Sequence, residues 1–314
     1  MKIFSALIIL FTVTLVCWTD YRLDQWEHVM AEYEASILHG QHPHFAGNKQ
    51  TFEELPACVQ QFLGNAVPAA KEHGVNSHSS VSIDQKGWIE KTKGRWTPFV
   101  AHQVLSLMGY SWEAAITALP MSPEWFPRIR VADAYTNEKG GISKAAFLAI
   151  FFIKNLFQGR YSHQASMDHA MRWLSDTVLI PTVLFPEQGI VTWSAVEDNP
   201  GKAMLTLQFP EDDLSYARSR LDMEATFSDG WMTSLKGKRL VLNKDSQLQM
   251  KVWQVNLSGY QEQEHGMWVP RYFEHGWINE QGDTEVYFKA DYLQLHYHPS
   301  TEAESQKTSI TAQD

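Results

Sequence analysis

The chain has 314 residues, 44 % of them hydrophobic and 20 % charged, with a net charge of −10, twelve tryptophans and two cysteines. That length can bury a sizeable core, as one large β-rich domain or two smaller ones. The acidic balance leaves no basic footprint for tracking phosphates, so nucleic acid is not an expected partner, and two cysteines exclude a disulfide framework or a zinc ribbon.

In chain order, Ile3 to Trp18 are almost wholly apolar, with Lys2 before them and Asp20, Arg22 and Asp24 after. A secretory signal needs small residues before its cleavage site. Val16, Cys17, Trp18 and Thr19 do not supply them, and Val16 is too large to precede a lipidated Cys17. An uncleaved membrane anchor is therefore preferred over a cleaved signal. The run is short against the roughly 20 apolar residues a spanning helix needs, and Trp18 and Tyr21 at the interface can make up the difference. Lys2 places the N-terminus inside and the bulk of the chain on the extracytoplasmic, periplasmic side. Cys17 in this segment and Cys58 far outside it are poor disulfide partners.

From Asp24 to Leu38, Trp26, Val29, Met30, Tyr33 and Ile37 recur at helical spacing, which predicts an amphipathic helix that packs on the domain or lies on a membrane surface. His39 to Asn48, with Gly40, Pro43 and Gly47, reads as a linker. Cys58 to Phe62 predicts a short helix ended near Gly64. Val81 to Ile89, Phe99 to Ser106 and Arg128 to Tyr135 alternate as strands, and Gly140-Gly141 marks a turn. Ala145 to Phe157 is a buried apolar run, helix or strand. Gln164 to Leu179 is the clearest helix, capped by Ser162 and closed by Pro181. Successive strands follow to Tyr297, while Lys236, Lys238 and Arg239 read as a solvated loop. The resulting division is a membrane anchor or signal segment over 1–20, the amphipathic helix and linker over 21–54, a β-rich domain over 55–298 and a disordered tail over 299–314. Strands before a helix and a run of strands after it predict an α+β domain, mostly antiparallel, with a strongly curved, half-barrel-like sheet packed on one or two helices.

No nucleophile elbow, phosphate loop, dinucleotide fingerprint or zinc-protease motif is present, so no cofactor is expected. His296 and His298 share a strand face and His39, His42 and His44 cluster in the linker. Neither group has the carboxylate or cysteine company of a convincing metal site. Arg172 and Asp176 stand one helical turn apart, and Asp133 lies in a strand pattern close to Arg128 and Arg130.

One ordered series carries a resemblance: Trp96-x-Pro98-Phe99-x-Ala101-x-Gln103, Tyr110-x-Trp112, Val131-x-Asp133-x-Tyr135, Arg172-x-Leu174-x-Asp176, Pro181-Thr182, Pro186 and Trp193. It resembles a bacterial domain of unknown function, often membrane-anchored, over roughly Leu55 to Leu295. The family tends to carry Glu where Asp176 stands and Gly-x-Gly where Gly140-Gly141 stands. The resemblance implies a shared fold and no reaction. The architecture is also similar to that of half-barrel carriers of lipoproteins and lipids in the periplasm, a likeness that does not transmit function. The expected function is an extracytoplasmic, membrane-anchored protein that binds a hydrophobic or amphipathic ligand without catalysis. The expected site comprises Trp96, Phe99, Gln103, Trp112, Arg172, Asp176 and Trp193. Phe99, Trp112 and Trp193 would form its apolar wall, and Gln103 with the Arg172–Asp176 pair would orient a polar head group. The alternatives are a hydrolase-like enzyme using Asp133, Arg172 and Asp176, or a structural partner of a membrane complex that docks through the 24–38 helix.

Overall fold

Alternating inward and outward side chains dominate the chain, and they build one long antiparallel sheet. The computed structural model describes residues 24–38, 50–68, 78–117, 128–136, 140–147, 151–153, 162–208, 220–242 and 248–299. Helix α1 spans residues 24–38 and α2 spans Ala57–Ala66. Strands β1 (His78–Thr92), β2 (Arg95–Ser106), β3 (Gly109–Thr117), β4 (Arg128–Thr136), β5 (Gly140–Phe147) and β6 (Phe151–Ile153) follow. Helix α3 (Ser162–Asp176) then leads through 3-10 turns at Thr177–Leu179, Pro181–Leu184 and Pro186–Gln188 into the second run of strands. That run comprises β7 (Val191–Ala195), β8 (Lys202–Gln208), β9 (Arg220–Ser228), β10 (Trp231–Leu242), β11 (Leu248–Ser258), β12 (Gln261–Glu262), β13 (Trp268–Val269), β14 (Tyr272–Ile278) and β15 (Thr284–Pro299).

Thirteen strands form the main sheet in the order β6-β5-β4-β3-β2-β1-β15-β14-β11-β10-β9-β8-β7. The chain enters at the centre, meanders to one edge, crosses by α3 and returns from the far edge to the centre. The first and last strands are therefore neighbours, paired from His78 opposite Pro299 to Ile89 opposite Phe288.

Helix α3 covers one face. It packs on β3, β4 and β5 in the first half of the sheet and on β10 in the second. Two glycines permit that approach: a Cβ on Gly141 would lie 2.1 Å from the His169 ring, and one on Gly237 would lie 3.0 Å from Met171 Sδ. The indole of Trp173 anchors the helix by donating to the Ser106 carbonyl of β2 (2.8 Å). The large core lies on this face, with α2 and the 3-10 turns filling it. Helix α1 covers the opposite face, where Trp26, Met30, Tyr33 and Ile37 seat on Val104, Ala132 and Ala134, the apolar stripe of an amphipathic helix.

Several local expectations change. Lys236, Lys238 and Arg239 belong to β10, not to a loop. They follow Asp229 and Gly230, both at positive φ, a two-residue hairpin turn whose twist suits the flanking strands. Gly140-Gly141 opens β5 instead of turning. The described parts of the 145–157 run are strand, and α2 continues through Gly64 to Ala66. Pro98 lies opposite Trp88 of β1 and beyond the end of the β3 pairing, which starts only at Phe99, so it sits where β2 has a strand on one side alone, an edge-like position that suits proline. Among the described residues no helix is long and apolar enough to cross a membrane. The 1–20 segment, the His39–Asn48 linker and the tail beyond Pro299 lie outside the described residues.

Candidate functional site

One level of the first half-sheet carries the side chains that meet α3. Gln103 of β2 is registered with Trp112 of β3, Trp112 with Asp133 of β4, and Asp133 with Ser143 of β5. Residues in register point to the same face. His169, Arg172 and Asp176 occupy one face of the helix above this row, and each finds a partner in it. The helix advances about 10 Å from His169 to Asp176. The strands from β5 to β2 span about 14 Å. A helix laid across the strands therefore matches the row residue for residue, with side-chain length covering the remainder.

The contacts form one buried network. Ser143 Oγ and His169 Nε2 are 3.2 Å apart, and His169 Nδ1 shares a 2.7 Å hydrogen bond with the Tyr110 hydroxyl. Arg172 donates through Nη1 to Asp133 and lies 3.9 Å from the Asp176 carboxylate through Nε. Its guanidinium sits 4.8 Å from the Trp112 ring and 5.0 Å from the Tyr110 ring, within cation–π range. Gln103 donates to Asp176 (2.9 Å) and accepts from Gln85 of β1 (2.9 Å). Gln103 and Asp176 are 1 % and 2 % exposed, so each needs its partners.

Charge follows from this burial. Burial raises the Asp176 pKa above the ordinary carboxylate value, against the lowering by Arg172 and by the Gln103 and Ser175 hydrogen bonds. Burial also opposes the Arg172 charge, but the Tyr110, Asp133 and Asp176 oxygens around it outweigh that effect. His169 is pushed down to about 4, chiefly by burial, and is neutral near pH 7.

The network borders an aromatic seam that runs into the second half of the sheet. Phe288 of β15 lies 6.3 Å from Trp112 and 5.1 Å from Phe99 between ring centres. His275 of β14 lies 4.7 Å from Phe288 and 5.2 Å from Trp253. Arg239 of β10 stands 4.7 Å from the Trp253 ring and 3.8 Å from Asp168 of α3. Among the described residues, four buried nitrogens along this seam have no hydrogen-bond partner: Trp112 Nε1, Arg172 Nε, Arg239 Nε and His275 Nε2.

Of the sequence-predicted residues, the structure brings together Phe99, Gln103, Trp112, Arg172 and Asp176, with Asp133 beside them. Trp96 is not with them. It is half-buried on the outward side of β2, 5.4 Å from Lys289 Nζ. Trp193 lies on the far edge strand β7, packed on Phe227, with its indole donating to the Leu184 carbonyl (3.0 Å). Sequence reasoning missed Gln85, Tyr110, His169, Arg239, His275 and Phe288. Three of them carried a signal, Tyr110 through its place in the Tyr110-x-Trp112 motif. Gln85 and Arg239 are polar residues at inward positions of alternating strands. A groove of about 420 Å³ lies on the opposite face, over β1 to β4 and β15, with Asp84, Val100, His102, Glu113, Arg130 and Leu293 in its lining. Its charges pair within it, His102 with Asp84 (2.8 Å) and Arg130 with Glu113 (3.1 Å).

Fold and site together define an antiparallel α+β protein, built on one main sheet, whose crossing helix locks a buried polar network to the strands. The chain belongs to DUF6920, a family of unknown function, whose model matches residues 53–297. No curated protein matches it. Among solved structures it is similar to a domain from Vibrio parahaemolyticus described as an outer membrane lipoprotein-sorting protein. The identity is 6 %, over 83 % of this chain and 99 % of that one, with a TM-score of 0.38. A LolA superfamily protein from Nitrosomonas europaea matches at 9 % identity over 79 % of this chain and 94 % of that one, TM-score 0.34. A DUF1329 family protein from Desulfovibrio piger matches at 10 % identity over 76 % of this chain and 92 % of that one, TM-score 0.40.

Proposed function

We propose that this protein is anchored to a membrane by its N-terminal segment, holds its β-rich domain on the extracytoplasmic side, and binds a hydrophobic or amphipathic ligand there without chemistry. The observation that carries the reading is the seam of aromatic rings, between α3 and the two halves of the sheet, with four buried nitrogens that make no hydrogen bond among the described residues. Leaving a buried donor unsatisfied costs about 1–3 kcal/mol, and apolar walls with a few convergent polar groups are the usual make-up of a ligand site. The sheet would curve around α3 to present this seam, and the packing of α3 on both β5 and β10 supports that curvature.

The hydrolase reading has one specific arrangement in its favour, the Ser143–His169–Tyr110 chain of contacts. A ring held near pKa 4 is a weak base at neutral pH, and Asp133 and Asp176 are both engaged by Arg172. The partner reading through the 24–38 helix lacks its contact surface, since the apolar stripe of α1 is buried on its own sheet. Native mass spectrometry of the full chain, extracted in mild detergent, tests the proposal. A co-purified lipid or other amphiphile is expected, with lower occupancy in a folded Arg172→Ala variant. A bare protein mass under gentle extraction overturns it.

A further inference from the structure

The partnerless atoms also specify what kind of polar group the seam accepts. Trp112 Nε1, Arg172 Nε and Arg239 Nε are donors with no accepting capacity, so they call for an acceptor. The charges already present decide between an anionic acceptor and a neutral one. Arg172 faces Asp133 and Asp176, and Arg239 faces Asp168. Asp168 and Arg172 are one helical turn apart, which brings both guanidiniums to the same stretch of α3. Two cations thus stand against three carboxyl groups. The neighbouring Tyr110 and Tyr292 hydroxyls stay protonated and His275 stays neutral, in each case chiefly through burial. Among the described residues there is no surplus positive charge for an added carboxylate or phosphate to meet, and desolvating it there is costly.

We propose that the seam recognises an uncharged carbonyl-bearing amphiphile, of the acyl ester class, whose carbonyl oxygen accepts from Trp112 and Arg172 while its chain lies along Phe99, Phe288 and Trp253. This deepens the binding reading above and rests on it. The side of approach is that of Asp133 and Arg172, whose side chains are 23 % and 13 % exposed while Asp176 behind them is 2 % exposed. A neutral carbonyl meeting Trp112 Nε1, which has no hydrogen-bond partner, and Arg172 Nε, which Asp176 faces at 3.9 Å without a hydrogen bond, gains hydrogen bonds that a plain hydrocarbon cannot make, worth about tenfold in affinity for a single bond.

Equilibrium binding of methyl oleate, oleate and the chain-matched alkene to delipidated full-length protein tests this, at a pH where oleate is fully ionised. Methyl oleate is expected to bind about tenfold tighter than the alkene and tighter than oleate. Trp112→Phe keeps an aromatic side chain, smaller than the indole, and removes the N–H; binding of both ligands is expected to weaken, and the ester-to-alkene affinity ratio should fall toward one. Equal binding of ester and alkene, or oleate binding as tightly as the ester, overturns the carbonyl assignment and leaves the hydrophobic-ligand reading standing. Failure of all three to bind overturns both. The wild-type series decides the matter by itself if the variant does not fold.

Discussion

Arg172 is the residue on which the site turns, because among the described residues it alone touches strand carboxylate, helix carboxylate and aromatic face together. The sequence placed Arg172 and Asp176 on one helix face through their spacing, and Gln103 on the inward face of its strand through alternation. The hydrolase alternative grouped Asp133 with them, but its strand pattern by itself pointed to Arg128 and Arg130 as neighbours, because which strand of a meander lies under which turn of a crossing helix depends on register. His169 was invisible for the same reason. Its partners Tyr110 and Ser143 lie on strands far from it in sequence, and nothing in the helix pattern distinguishes it from a solvated histidine. Its burial has a measurable consequence. The folded pKa of about 4 lies below the ordinary 6.5, so between those values the unfolded chain binds more protons. Stability from this ring is complete above about pH 6.5 and is lost as pH falls toward 4, by about 3 kcal/mol in all. Asp176, raised by burial, works in the opposite direction. Comparing the wild type with His169→Gln cancels that contribution. Denaturant midpoints from pH 8 down to 4 should fall more steeply for the wild type than for the variant, and parallel slopes would refute the assignment.

The elements themselves were largely legible, because strand alternation and helix periodicity are local. One of the exceptions, β10, shows where a local rule was overridden by a compositional one. Lys236, Lys238 and Arg239 look like a solvated cluster, yet Lys236 pairs with Glu224 across the ladder (3.4 Å) and Arg239 turns inward beneath α3. The Asp229-Gly230 pair was the stronger signal for a hairpin. How α3 sits on the strands was not legible at all, since it depends on two absent side chains. At Gly141 a Cβ would meet the His169 ring at 2.1 Å and its own Cβ at 2.8 Å, close to the helix backbone. At Gly237 its tight contacts would be with the flexible end of Met171, with the Asp222 carbonyl oxygen at an ordinary 3.4 Å. Gly141→Ala should therefore be the costlier change, lowering stability by about 1–3 kcal/mol, as overpacking does, while Gly237→Ala should cost less. Equal thermal shifts in the two variants would show that α3 does not bear on β5 as described.

At the scale of the molecule, the main sheet is two halves, β1 to β6 and β7 to β11 with β14 and β15, while β12 and β13 pair with each other. The two halves are joined along the β1–β15 pair and bridged by α3. Composition and patterning announced many antiparallel strands, but not that the last would close on the first, because that pairing is the most non-local in the fold. Contacts of that separation form late and slowly. A chain cut between Ile153 and Ser162 should yield two fragments that refold together into a cooperative unit and fail to do so separately. Calorimetry of the fragments, alone and mixed, checks it.

The β1–β15 pair has one more consequence. Trp112 and Gln103 come from one half of the sheet, while Arg172, Arg239, His275 and Phe288 come from the other side of the cut. Any molecule held between them is shared by both pieces, and so acts as glue. Two such fragments, each fused to half of a reporter, would become a sensor whose signal rises with the concentration of the ligand itself.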